Sequence, residues 1–516
     1  MAKKLLLFLL IFLSFCTPRP QVETASSSAE INARLGEADA LRRKGCYVSL
    51  KRALQIYRDL YGQPKHRKMV AGRLAEALLL LSVREKELGI ANKSYLDQAL
   101  LIIKENPSLG GYSIYAEIAR IVALQGKGVM RDIDTRFSWQ ETAKKVKNAD
   151  ADLTRRAGSD EFSAYMYAVQ KCGFDPAYGV SLFEEKGDLG QVLDIFPDSL
   201  LLKYKRAICP KENADLLKEI LAAEPEFYEA NYFLGNDALA RGNLLEAEQY
   251  FLEALTGIPE SPQITISLAS VAFAVEEFER SLDFYEKTLA LAPEYRDALL
   301  GKAICLSYMG RPSEAISVCE KIISLGYWLL GESHYWLAWN QHELKDNVTA
   351  AANIEEAKGR LPTSSEVFTL SGTLALERED LAKAEKDLKE ALQYNPANAD
   401  ALMLLGDVYA RKKDWPGSAA CFEKAGFACE DEAARLEAKI DDLKKSKLQS
   451  DRMNALLRRK ARQLEKVSLA RAAAFYNAGA GYFNCGQRSK VLEMTGKASE
   501  HPQFKQKADE LASQIK

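Results

Sequence analysis

Histidine is nearly absent from this 516-residue chain, with four in total, and there is no paired CxxC or HExxH, so no dedicated zinc centre is expected. Nine cysteines are too sparse for a disulfide scaffold, and 16 prolines with 30 glycines exclude collagen-like and low-complexity chains. No excess charge of one sign exists: 70 Lys and Arg against 72 Asp and Glu leave a formal charge of -2, which gives bulk-charge binding of nucleic acid no support. No Walker-type glycine loop and no nucleophile elbow occurs. What is there is ordinary for a folded protein, 47% hydrophobic and 28% charged, and the length suits either three to four domains or one elongated array.

The first residues read as an address. Lys3 and Lys4 precede an apolar run from Leu5 to Phe15, the layout of an export signal. As a helix the run spans roughly 17 Å, short of the ~30 Å hydrocarbon core, so a permanent membrane span is not expected. Leu13-Ser14-Phe15-Cys16 resembles the bacterial lipobox, with Phe15 in place of the usual small residue; the resemblance implies lipidation of Cys16 as the mature N-terminus. Two alternatives stay open: cleavage near Ala25 with Cys16 incidental, or an uncleaved anchor. The Thr-, Pro- and Ser-rich stretch that follows reads as a flexible tether.

A period dominates the rest. Small or apolar residues recur at Leu201, Gly235, Ala269, Ala303, Ala338, Gly372 and Gly406, spaced by 34 residues with a single 35. Sixteen residues after each comes a larger side chain in most cases, as in Phe251, Tyr285, Leu388 and Phe422, and Pro225, Pro259, Pro293, Pro362 and Pro396 punctuate the repeats. A small residue lets two antiparallel helices approach, the large one fills the space beside it, and proline ends the second helix. Each period is therefore a helical hairpin. The pattern resembles the tetratricopeptide repeat (TPR), which implies an all-α fold, a right-handed superhelical solenoid of TPR hairpins. The expected organisation is a signal peptide over 1–15, a tether over 16–30, a divergent TPR-like module over 31–126 and an irregular connector over 127–194. The main array of about seven repeats follows over 195–430, then one long charged helix over 431–470 and a capping hairpin over 471–516.

Candidate chemistry is thin. His334 and His342 lie eight apart on one predicted helix, ~12 Å along its axis, too far to share a metal. The same spacing separates Cys421 from Cys429 and forbids a bridge. Cys305 and Cys319 fall on facing helices and either bridge or stay buried as thiols. No catalytic residue, metal or cofactor is expected.

The resemblance also implies a concave groove lined by the first helix of each hairpin, at positions three before, one after and four after the Gly-like residue. Carried onto this chain, those positions include Tyr232, Asn236, Ile266, Phe273, Leu300, Ile304, Tyr335, Trp339, His342, Met403 and Asp407. Asn236 suits a carboxylate clamp, but Tyr232 replaces the lysine that a clamp needs. The aromatic cluster Tyr327, Trp328, Tyr335, Trp336 and Trp339 coincides with the 35-residue spacing and reads as a contact site or as packing. The expected function is a non-catalytic scaffold lipoprotein that gathers envelope proteins or peptide segments, lipid-anchored and facing the periplasm or associated with the outer membrane. The alternative is a ligand-handling accessory protein that holds a lipid or other hydrophobic small molecule in the groove for a transporter.

Overall fold

Every regular element among the described residues of the computed structural model is a helix, as the period requires. The described residues are 28–90, 94–124, 142, 144–146, 148–172, 195–209, 213–326, 330–445 and 451–515. The signal segment and Cys16 lie outside them, as do Tyr327 and Trp328. None of the described helices is long and apolar enough to cross a membrane.

The α-helices in chain order are α1 (Ser28–Lys44), α2 (Tyr47–Gly62), α3 (Arg67–Glu87), α4 (Ser94–Glu105), α5 (Ser113–Leu124), α6 (Asp150–Ala157), α7 (Glu161–Cys172), α8 (Leu200–Ile208) and α9 (Ala214–Ala223). Then come α10 (Tyr228–Ala240), α11 (Leu244–Gly257), α12 (Pro262–Ala274), α13 (Phe278–Leu291), α14 (Arg296–Tyr308), α15 (Pro312–Ser324), α16 (Leu330–Glu343) and α17 (Asn347–Arg360). The last are α18 (Ser365–Glu377), α19 (Leu381–Tyr394), α20 (Ala399–Arg411), α21 (Trp415–Lys445), α22 (Asp451–Asn484), α23 (Arg488–Ser499) and α24 (Pro502–Ser513). Helices α8 to α21 pair into seven hairpins, each begun by an A helix and closed by a B helix.

The repeat works by close approach. A Cβ placed on Gly235 would stand 2.5 Å from the Phe251 ring, one on Gly372 2.6 Å from Leu388, and one on Gly406 2.8 Å from Phe422. The small and large positions thus face each other within one hairpin, at the 16-residue offset read from the sequence. The turn from A to B is left-handed in six successive hairpins, at Gly242, Glu276, Gly310, Lys345, Glu379 and Lys413. Glycine pays no steric cost there, whereas Glu and Lys are held by the amide three residues past the end of the helix reaching back, as in Glu277 N–H to Ala272 O at 2.8 Å. Side-chain caps start several helices: Ser199, Asn213, Ser261, Asp346, Ser364, Asp380 and Asn398 each accept the backbone N–H three residues on.

The chain forms two compact units, 1–87 with 92–230 and 88–91 with 231–516. The sequence places the main array's start at 195, yet the first hairpin, α8 and α9, belongs to unit 1. Its contacts explain why. A disulfide joins Cys172 at the end of α7 to Cys209 beyond α8, with Cα atoms 6.0 Å apart. Lys205 on α8 pairs with Glu87 at 2.8 Å. At the centre of unit 1 Arg84 is fully buried. Its guanidinium donates to Glu87 at 3.0 Å and to the Gly45 carbonyl at 3.2 Å, and lies over the Tyr204 ring at 3.6 Å. Glu229, also fully buried, sits 3.8 Å from Arg84 Nε and accepts the Tyr47 backbone N–H at 2.5 Å.

The single charged helix expected over 431–470 is corrected by the structure: the segment is divided between α21 and α22, two long antiparallel helices packed on each other. The lower part of α21 is the B helix of the seventh hairpin, and the end of α22 is the A helix of the cap. Phe422, Phe475, Ala478, Tyr482, Val491 and Met494 share one core there. Each of the two helices carries its own buried row, Leu436 and Ile440 on α21 and Met453 and Leu456 on α22.

Candidate interaction surface

The sequence-derived groove positions fall on the A helices of unit 2. Of those positions, Tyr232, Asn236, Ile266, Phe273, Leu300, Ile304, Tyr335, His342, Met403 and Asp407 are half-buried, and Trp339 is exposed. They do not all serve alike. Tyr232 packs against Phe251 of its own hairpin at 6.0 Å between ring centres. Met403 packs into the cores around Phe422 and Ala425, so it is structural. Asp407 pairs with Arg411 one turn on, at 3.0 Å. His342 contacts Asn347 at 3.1 Å and Glu377 at 3.5 Å, while His334 contacts Asn353 at 2.9 Å, so the two histidines meet separate partners.

Phe273, Tyr335 and Trp339 are drawn together by rings between them. Phe273 meets Phe278 at 5.4 Å, and Phe278 stacks on Tyr308 at 5.1 Å and 6°. Tyr308 meets Trp336 at 6.0 Å; Trp336 touches Tyr335 at 5.3 Å and Trp339 at 6.1 Å. Six aromatic rings therefore run in contact across three successive hairpins, from α12 to α16. One side of the ladder rests on the core, where Tyr335 packs beside Ala338, Ile354 and Leu370. The other side is open: Tyr308 is 60% exposed and Trp339 37%. Burial, with the carboxylates of Glu366 and Asp400 adding to it, pushes the Tyr335 hydroxyl upward, so it stays a neutral donor.

Asn340 fixes the spacing beneath the rings, donating to Ser307 of α14 at 2.7 Å and to the Trp336 carbonyl at 2.6 Å. Such a surface offers wide, rigid apolar area with polar tips and no fixed charge among the six rings. Tyr308 and Phe278 escaped the sequence reading because the groove register counts Ser307, one residue earlier, and Phe278 opens a B helix. The signal available was a tyrosine at the very end of an A helix, immediately before the Met309-Gly310 turn.

Neither Cys305 nor Cys319 bridges: both are buried thiols, Cys305 donates to Ser281 Oγ at 3.3 Å, and burial pushes Cys319 up to about 12. An open cleft of about 460 Å³ in unit 2 is lined by Glu277, Glu279, Arg280, Arg452 and Arg459, a charged lining that does not suit a hydrophobic ligand.

The tetratricopeptide-repeat family profile matches residues 214–262 and 369–432. The chain is 27% identical over 206 residues to the human protein O-mannosyl-transferase TMTC1, a likeness that covers 39% of this chain but 23% of that protein. Among solved structures it resembles a tetratricopeptide repeat protein from Parabacteroides merdae, at 16% identity and TM-score 0.36, over 53% of this chain and 98% of that one. It also resembles Pseudomonas aeruginosa pilF, at 20% identity and TM-score 0.35, over 38% and 88% of the two chains. A third likeness is to PilW, a type IV pilus biogenesis factor, at 12% identity and TM-score 0.35, over 45% and 98%.

Proposed function

We propose that this tetratricopeptide-repeat protein is a non-catalytic scaffold that holds a protein or peptide segment on the open rings of α14 and α16, lipid-anchored through Cys16 at a bacterial cell envelope. The observation that carries the binding reading is the six-ring ladder, because large aromatic anchors supported from behind and open in front are what an interaction surface concentrates its energy in. The envelope reading is supported by Lys3, Lys4 and the Leu5 to Phe15 run ahead of Cys16. It is supported independently by the Cys172–Cys209 disulfide, since such bridges persist in oxidising compartments. Sugar transfer is not part of this reading, because the likeness to the mannosyl-transferase reaches only 23% of that protein.

Tyr308→Ala combined with Trp339→Ala is expected to remove partner capture in a crosslinking pull-down from membrane extract, at about 2 kcal/mol or more for a hot-spot ring, with the helical circular-dichroism signal unchanged. Unaltered capture would dismiss the ladder as the docking face. For the anchor, Cys16→Ser is expected to move the protein from the membrane to the soluble fraction, and a variant that stays membrane-bound would refute lipid anchoring.

A further inference from the structure

The first turns of α22 do not stand free in solvent. Arg452, in the first turn of α22, ion-pairs with Glu248 of α11 and lies 2.8 Å from Glu277, the residue that starts α13. Two turns on, Arg459 reaches Glu277 at 3.3 Å and Lys460 reaches Glu276 at 3.2 Å. The partners are 175 to 204 residues apart in sequence. The hairpin rooted in the seventh repeat thus meets the second and third repeats, and long cationic side chains link it there.

The acidic side of this contact is built to survive without them. Arg280 of α13 pairs with Glu248 and stands 3.2 Å from Glu277. If the cations of α22 withdrew, the buried Glu248 would keep a partner inside the array. Glu277 is opposed by its burial but held below the usual carboxylate range by Arg452, Arg280 and Arg459. Three carboxylates, Glu248, Glu276 and Glu277, face one resident cation, and α22 contributes three more. Arg452, Arg459 and Lys460 are partly open to solvent, so salt reaches these pairs.

We propose that the α21–α22 hairpin is an electrostatic strap, latched in the same chain onto the acidic site formed by Glu248, Glu276 and Glu277, and that it opens without unfolding the repeats. Latched, it ties the third repeat to the seventh and fixes the curvature of the hairpins between them. This inference does not rest on what the aromatic ladder binds.

The test uses the full chain with Cys421 and Cys485 changed to Ser and nitroxide labels at Asp283→Cys and Asn454→Cys, followed by pulsed electron-electron resonance. In low salt a single short distance is expected. In 1 M NaCl, where the screening length falls to about 3 Å, and in the variant Arg452→Glu, Arg459→Glu, Lys460→Glu, the short population is expected to disappear while the helical signal stays. The neutral variant Arg452→Gln, Arg459→Gln, Lys460→Gln should lose it as well. A short distance that persists in all three overturns the strap. So does a loss accompanied by loss of helix, since the charges would then be holding the fold. A short population that declines on dilution overturns the same-chain latch, the contact then lying between two copies.

Discussion

Unit 1 keeps a fully buried arginine and a fully buried glutamate at its centre, whereas the repeats of unit 2 keep glycine and alanine against rings and leucines. The two cores answer the same demand differently. In unit 2 each hairpin meets its neighbours through small side chains, so packing is local and repeated. In unit 1 Arg84 gathers groups from α3, α7, α8 and the start of α10, through Glu87, Tyr204, Tyr165 and Glu229. A buried charge is tolerated only when its partners stay in place, so unit 1 is specific at the expense of tolerance, and unit 2 is tolerant except where two helices touch.

The comparison breaks most sharply at Arg84. Arg84→Ala leaves Glu229 without its counter-charge and is expected to cost about 3–5 kcal/mol, read as lost amide protection in α2 and α3 with α16 to α20 unaffected. Equal loss of protection in both regions would show that the two cores are not independent. Next comes the bridge: Cys172→Ser with Cys209→Ser is expected to cost about 2–4 kcal/mol and to act on unit 1 alone, checked by proteolysis rates of α8. In unit 2 the corresponding perturbation adds an atom. Gly235→Ala puts a methyl 2.5 Å from Phe251 and is expected to cost about 1–3 kcal/mol, while the same change at Gly62, with nothing near, should cost nothing.

A pH series sharpens the contrast without large damage. Burial raises Glu229 from 4.5 to about 7, against the pull of Arg84. Folded protein then holds this proton more tightly than unfolded protein, so the contribution is full below pH 4.5 and is lost as pH rises toward about 7. Glu87 is held low by Lys205 and Arg84 despite its burial, so its contribution is lost only as pH falls below the ordinary carboxylate range. Melting curves between pH 4.5 and 7.5 should show unit 1 weakening with rising pH in the native chain and weakening less in Glu229→Gln, where Glu76, also raised by burial, still acts. An undiminished slope in Glu229→Gln would assign the effect to another group.

Legibility followed the same division. Gly235, Gly372 and Gly406 with their facing large residues were plain from spacing alone, because a hairpin repeats its own contacts in sequence. The ladder was half legible: Phe273, Tyr335, Trp336 and Trp339 lie at or beside counted positions, but Tyr308 and Phe278 join them only through the turns between helices. Met403 and Asp407 carried the right register and proved to pack or to pair locally.

By itself the sequence determined the helical hairpin and its 34-residue repeat. These are set by neighbours close in the chain. Only the tertiary structure decided that the first hairpin joins unit 1, that Cys172 finds Cys209, that Arg84 is enclosed, and that α22 reaches Glu248. Each of those joins residues brought together by the path of several helices, and a charge or thiol carries no periodic mark of the partner it will meet.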